Sequence, residues 1–176
     1  EYHQPYLITL SSTLPSNIES GLLTKKGEDF LVNNEIVTPN RCIHGDTVYI
    51  KDGEVVGIKS RTSVFIIGIL HLNNNQKYGF TNRKVPYFKF TAISNKYPDF
   101  IVPSKSRDKK ATYCVIKINK WETKNKIPIG QIEKIIGPVG DLNHEIDMLL
   151  YHSQVYPKKN KTKYLKDSSN IALSSS

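Results

Sequence analysis

The sequence predicts a mainly all-β chain, two small five-stranded barrels in tandem with a short C-terminal helix and a basic tail. Three features carry that prediction. Short β-branched and aromatic runs recur between turn formers, as in Gly21–Thr24, Asp29–Val32, Asp46–Ile50 and Glu54–Ile58. Between the last two lies Asp52-Gly53, which suits the left-handed conformations of a type I′ hairpin. Helical periodicity is confined to one place, where Ile146, Leu149 and Leu150 fall on one face.

Taken in order, residues 1–20 are a lead-in whose apolar Tyr6–Leu10 segment packs on the first unit. Residues 21–61 form the first barrel and residues 62–141 the second. The second opens with Val64–Leu70, continuous enough to be buried on both faces. Tyr78–Phe80, Tyr87–Ile93, Thr112–Ile118 and Gln131–Ile136 follow as strands, with Asn73–Lys77 a loop. Alternation puts Phe88 and Phe90 on one face of their strand and Tyr87 and Lys89 on the other, so one face is core. Residues 94–110, with Pro98, Pro103, Lys105, Arg107, Lys109 and Lys110, read as a long basic loop. Ile132, Ile135 and Ile136, bracketed by Gly130 and Gly137, make a last strand, and Asp141 is a suitable N-cap for the helix of residues 142–156. Pro157 blocks its continuation, and residues 157–176, from Lys158-Lys-Asn-Lys-Thr-Lys163 to Ser174-Ser-Ser176, are expected to be a poorly ordered tail.

Composition narrows the classes. With 38% hydrophobic and 10% aromatic residues the 176-residue chain can bury a core, and no run is apolar enough to span a bilayer. No secretion signal is present, so an intracellular protein, cytoplasmic or nuclear, is expected. The first residue is Glu1 rather than Met, which reads as a processing or cloning boundary. Cys42 and Cys114 are expected as reduced thiols in or near the core, and Asn160-Lys-Thr162 reads as a chance sequon. The net charge of +9 is unevenly spread: residues 1–60 hold five Lys/Arg against eight Asp/Glu, residues 61–176 twenty against eight. That asymmetry points to a nucleic-acid partner for the second unit, although a Lys/Asn/Ile-rich bias also fits a solvated basic tail.

Tyr78, Phe80, Tyr87, Phe88 and Phe90 are possible stacking platforms beside Arg83, Lys84, Lys89, Lys105, Arg107, Lys109 and Lys120. At least half of the aromatics belong in the core, because a small barrel has little else to fill it. Trp121 stacks on a base or, more commonly for a lone Trp after a β-run, anchors packing. His44-Gly-Asp46 reads as a turn with Asp46 capping backbone amides, not an acid–base pair. Cys42 and His44 lack the partners of a zinc site, and Asp141, Glu145 and Asp147 do not converge for Mg²⁺. No metal, cofactor or catalytic residue is expected in this chain.

Pro128-Ile-Gly130, a strand, then Gly137-Pro-Val-Gly140-Asp141 resembles the end of the second cold-shock domain in exoribonucleases of the RNase II (RNB) family. Asn40-Arg41-Cys42-Ile43-His44-Gly45-Asp46-Thr47-Val48 resembles a segment of the first cold-shock domain in its eukaryotic exosome-type branch. Val56–Arg61, Ile67–Leu70, Gly79–Pro86 and Ile118–Trp121 occur between them in the family's order, and Tyr6-Leu7 through Ile18–Gly21 is similar to its lead-in. The resemblance covers most of residues 1–152. It departs at Cys42, where Ala is usual, at Asn119, where Asp is usual, and in the tail. It implies two OB/cold-shock barrels that guide single-stranded RNA towards an RNB catalytic domain absent from this chain. There the hydrolysis from RNA 3′ ends and its Mg²⁺ would reside. The alternatives are a stand-alone RNA-binding module or chaperone, or a protein-interaction module of an exosome-like assembly.

Overall fold

A computed structural model describes residues 6–7, 17–76 and 78–155. The tail of residues 157–176 and most of the lead-in lie outside them. In the first unit the strands are β1 (Tyr6–Leu7), β2 (Glu19–Leu22), β3 (Thr24–Lys26), β4 (Asp29–Val32), β5 (Glu35–Val37), β6 (Thr47–Lys51) and β7 (Glu54–Ser60). The expected barrel is split into a four-stranded sheet, β1-β7-β6-β2, and a three-stranded one, β3-β4-β5. The split comes from Leu23. Its N–H donates to the Asp46 carbonyl and its carbonyl accepts from Gly45 N–H, both at 2.8 Å, so one strand is broken into β2 and β3. The circuit returns through a single parallel bridge, Thr38 to Glu54. Both sheets enclose Leu23, Val32, Val37, Cys42, Val48, Ile50, Val55 and Ile58. β5 was not read from the sequence; its signal is Asn33-Asn34, whose φ of 52° and 65° makes the tight turn after β4. Asp52 and Gly53 take φ of 52° and 76°, as their sequence predicts.

The second unit is a closed barrel of β8 (Ile66–Leu70), β9 (Tyr87–Ala92), β10 (Phe100–Pro103), β11 (Thr112–Lys120) and β12 (Ile129–Pro138). β8 pairs with β9 and β11, and β10 with β9 and, in parallel, β12. This is the Greek-key barrel of the OB type. Gly68 permits the closure, because a Cβ there would run into the Thr91 carbonyl and the Phe90 ring. Two readings are corrected. Phe100–Pro103, expected within the basic loop, is a buried strand, made one by pairing with β9 on one side and β12 on the other. Tyr78–Phe80 is no strand and contributes one bridge, Phe80 to Pro86.

The first unit reaches into the core of the second. Ile43, from the turn before β6, is 1% exposed and packs with Ile66, Leu70, Phe90, Tyr97 and Phe100 of the second barrel. Asp46, 0% exposed, secures that turn. Its Oδ2 accepts from Ile43 N–H at 2.9 Å and from Arg61 Nη1 at 2.8 Å, and its Oδ1 from Thr62 N–H at 2.7 Å. The expected capping role is therefore met, and it also spans the junction between units. His44 Nδ1 accepts the Lys25 amide at 3.0 Å, and its ring stands edge-on to Tyr97. Cys42 and Cys114 are buried in different cores, and burial pushes both thiols up to about 12.

Helix α1 (Leu142–Val155) begins at Asp141, whose carboxylate accepts the Asn143 amide at 2.9 Å. Gly137, at φ 154°, lets the His144 ring press on β12. Leu149, expected to share the packed face with Ile146 and Leu150, is 50% exposed.

Replacing Asp46 by Asn should destabilise the chain by about 3 kcal/mol, because it strips a buried ion pair of one charge; the urea midpoint reads it. Burial, and then the Lys96 charge, hold His44 below the ordinary histidine value of 6.5. The unfolded chain thus takes up the proton first, so stability is complete above pH 6.5 and falls as the pH drops through the lower folded value. Urea titrations should show that fall, with His44→Gln removing part of it and His71, shifted the same way by burial, the rest.

Candidate nucleic-acid interface

OB barrels hold oligonucleotides on the face of their second and third strands and on the loops joining strands one to two and four to five. In this barrel those are β9, β10, residues 71–86 and residues 121–128. The first loop ends in a small hairpin. Thr81 N–H donates to the Val85 carbonyl at 2.8 Å and Lys84 N–H to the Thr81 carbonyl at 2.9 Å, with Lys84 left-handed at φ 62°. The Thr81 hydroxyl accepts the Val85 amide as well. The tip therefore holds Arg83 and Lys84 in solvent, and Phe80 beside them is 60% exposed. Tyr78 is half-buried, its hydroxyl donating to Gln76.

On β9, Phe88 and Phe90 point inwards. Phe90 is 0% exposed and meets Phe100 edge to face, so it is not a platform, and Phe88 packs on the same core. Tyr87 and Lys89 lie on the outer face, half-buried. Tyr87 is opposite Pro103, and the Ser104 amide donates to the Pro86 carbonyl at 3.1 Å, which brings the start of the 104–111 loop and Lys105 against the hairpin. Arg107 and Lys109 are exposed farther along that loop.

The cations differ in how they are compensated. Lys89 pairs with Asp99 at 3.3 Å, and Lys120 and Lys124 both grip Glu122, at 2.7 and 3.1 Å. Hydrogen bonding to Glu122 holds the Lys120 pKa up, with Tyr87 adding a smaller pull; the two lysines in turn hold Glu122 down. Arg83, Lys84, Lys105, Arg107 and Lys109 have no carboxylate within ion-pair distance among the described residues. Trp121 packs on the second core and donates its indole N–H to the Asn125 carbonyl at 3.2 Å. The hairpin, Tyr87, Lys105 and Lys120 thus form one surface. Lys120 and Lys124 flank Trp121 in the sequence, but the Glu122 between them that both grip is not singled out there; the alternating signs were the available signal. Cys42 and His44 are engaged elsewhere, the thiol with the Asn40 carbonyl and the ring with Lys25.

The fold has counterparts among known proteins. Residues 87–154 match the family of the Dis3-like cold-shock domain 2. Among solved structures, yeast Ssd1, a pseudonuclease, is similar over 83% of this chain and 26% of its own, with 16% identity and a TM-score of 0.59. The apo form of Mycoplasma genitalium RNase R is similar over 82% and 25%, with 15% identity and a TM-score of 0.54. The same enzyme in complex with ribose-methylated single-stranded RNA gives the same values. The chain spans about a quarter of each. No curated protein sequence is significantly similar to it. The resemblance to the RNase II (RNB) family holds in this measure: β9 to α1 match the Dis3-like cold-shock domain 2 model, and the two units have a fold similar to that of RNase R and Ssd1.

Proposed function

We propose that this chain, whose residues 87–154 match a Dis3-like cold-shock domain 2, binds single-stranded RNA and guides it as the N-terminal region of an RNase II-like protein. One observation carries the reading. An exposed Phe80 and two uncompensated cations, Arg83 and Lys84, sit on a hairpin beside Tyr87, on the side of the barrel that OB domains use for oligonucleotides. Phe80 and Tyr87 offer ring faces to unstacked bases, while Arg83, Lys84, Lys105, Arg107, Lys109 and Lys120 track phosphates. RNase R in complex with single-stranded RNA supports the same ligand class. The units divide near residue 61, the first bracing the second.

In this reading the chain itself breaks no bond. Hydrolysis from the RNA 3′ end, and the Mg²⁺ it needs, belong to a catalytic RNB domain of the parent, in the cytoplasm or nucleus. Similar folds occur in an RNase and in a pseudonuclease, and the guiding role proposed here is compatible with either kind of parent. Among the described residues no helix is long and apolar enough to cross a membrane. A second reading, a protein-interaction module for an exosome-like assembly, is favoured by Ile135, Leu142 and Leu149, which are 56%, 59% and 50% exposed around α1.

Fluorescence anisotropy with a labelled single-stranded RNA and a duplex competitor, across salt, separates the two. Single-strand binding that weakens log-linearly with salt is expected; no binding at low salt sinks the guidance reading in favour of protein contact. Phe80→Ala should cost ~1–3 kcal/mol of affinity with little change in the salt slope. The Arg83→Ala/Lys84→Ala pair should flatten the slope by roughly 1.4, two phosphate contacts on a single strand. Glu122→Gln releases Lys120 and Lys124, so tighter binding and a steeper slope are expected from the same titration.

A further inference from the structure

Arg41 belongs to the first unit, yet its side chain ends on the second. Its Nε and Nη2 donate to the carbonyl oxygens of Glu122 and Thr123, at 3.4 and 2.7 Å. These are successive residues of the loop between β11 and β12, the loop that carries Trp121 and the Glu122 carboxylate with its two lysines. The root of Arg41 is equally fixed. Its backbone is left-handed at φ 56°, next to Asn40 at 35°. Its carbonyl accepts from Arg61 Nη1 at 3.0 Å, and that nitrogen is also bound to the buried Asp46 carboxylate. Two residues on, Ile43 is buried in the second core.

A guanidinium held at its root by a buried ion pair, and offering two donors from one plane, sets both the distance and the orientation of the peptides it grips. We propose that Arg41 is a positioning residue for RNA binding, through which the first unit fixes the 121–125 loop of the second. This rests on the reading of the chain as a single-strand RNA binder. That loop is one of the two that OB domains offer to oligonucleotides, and its backbone at Glu122 and Thr123 lies where Arg41 holds it. The contribution of the first unit to the interface is therefore geometric: it supplies a brace, not a phosphate contact.

The test uses the full chain with Arg41→Ala and Arg41→Lys, read by hydrogen–deuterium exchange and by anisotropy against a fluorescein-labelled single-stranded RNA across salt. In Arg41→Ala the amides of residues 121–126 should exchange faster while those of β8 to β10 keep their protection. Affinity should fall roughly fivefold to tenfold, the cost of ordering a loosened loop on binding, with the salt slope unchanged because no phosphate contact is lost. Arg41→Lys, which keeps the charge but not the planar fork, should show most of the loss and guards against failure of the alanine variant to fold. A slope reduced by roughly 0.7 would mean that Arg41 touches phosphate directly. Unchanged exchange, or faster exchange at unchanged affinity, overturns the brace while RNA binding stands. A wild-type chain that binds no RNA in the same titration overturns the underlying reading as well.

Discussion

A carboxylate withdrawn from water needs its lone pairs filled by donors, and Asp46 finds three: the amides of Ile43 and Thr62 and the guanidinium of Arg61. Few arrangements of the chain can supply all of them at once. Ile43 must curl back towards Asp46, and Thr62 must arrive from the exit of the first unit, sixteen residues later in sequence. With the turn drawn tight, the Ile43 side chain has one apolar place to go, the mouth of the second barrel. The relation between the units thus descends from one desolvated charge, which fixes geometry at a cost that good hydrogen bonding offsets.

Division of labour within the second barrel follows from the same economy of space. Five short strands enclose little volume, and Phe90, Phe100, Ile116 and Val102, all fully buried, take a large share of it. Aromatic groups left over must sit outside or on loops, and they do, at Phe80, Tyr78 and Tyr87. A rigid ring with a soft, charged rim is well suited to a chain-like ligand, since the ring holds rim residues in register without having to move itself.

Much of this was legible where a residue type answers a local demand. Asp52-Gly53 makes its turn from its own conformational preference, Asp141 caps the helix it precedes, and the alternation at Tyr87–Phe90 separates core from surface. What escaped was set at a distance. β10 is four residues ending in a proline, and only its neighbours β9 and β12 make it a strand. The break at Leu23 is caused by the turn at Gly45 and Asp46. Arg41 meets Glu122 across eighty-one residues of sequence, and no local pattern announces that. Among the predicted cations, Lys89 and Lys120 looked equal to Arg83 in sequence; the carboxylates beside them are visible only in three dimensions.

The two thiols carry a further consequence. Cys42 and Cys114 are each sealed in one of the two cores, and burial keeps both far from the thiolate form. A thiol in that state reacts with an alkylating or disulfide reagent only when its own core opens. The native chain therefore contains two built-in clocks, one per unit. If the shared Ile43 and the Asp46 bridge make the units a single cooperative block, both run at one rate. If the single-bridge closure of the first unit lets it breathe separately, Cys42 runs ahead of Cys114, and the gap between them measures how firmly the two halves are coupled.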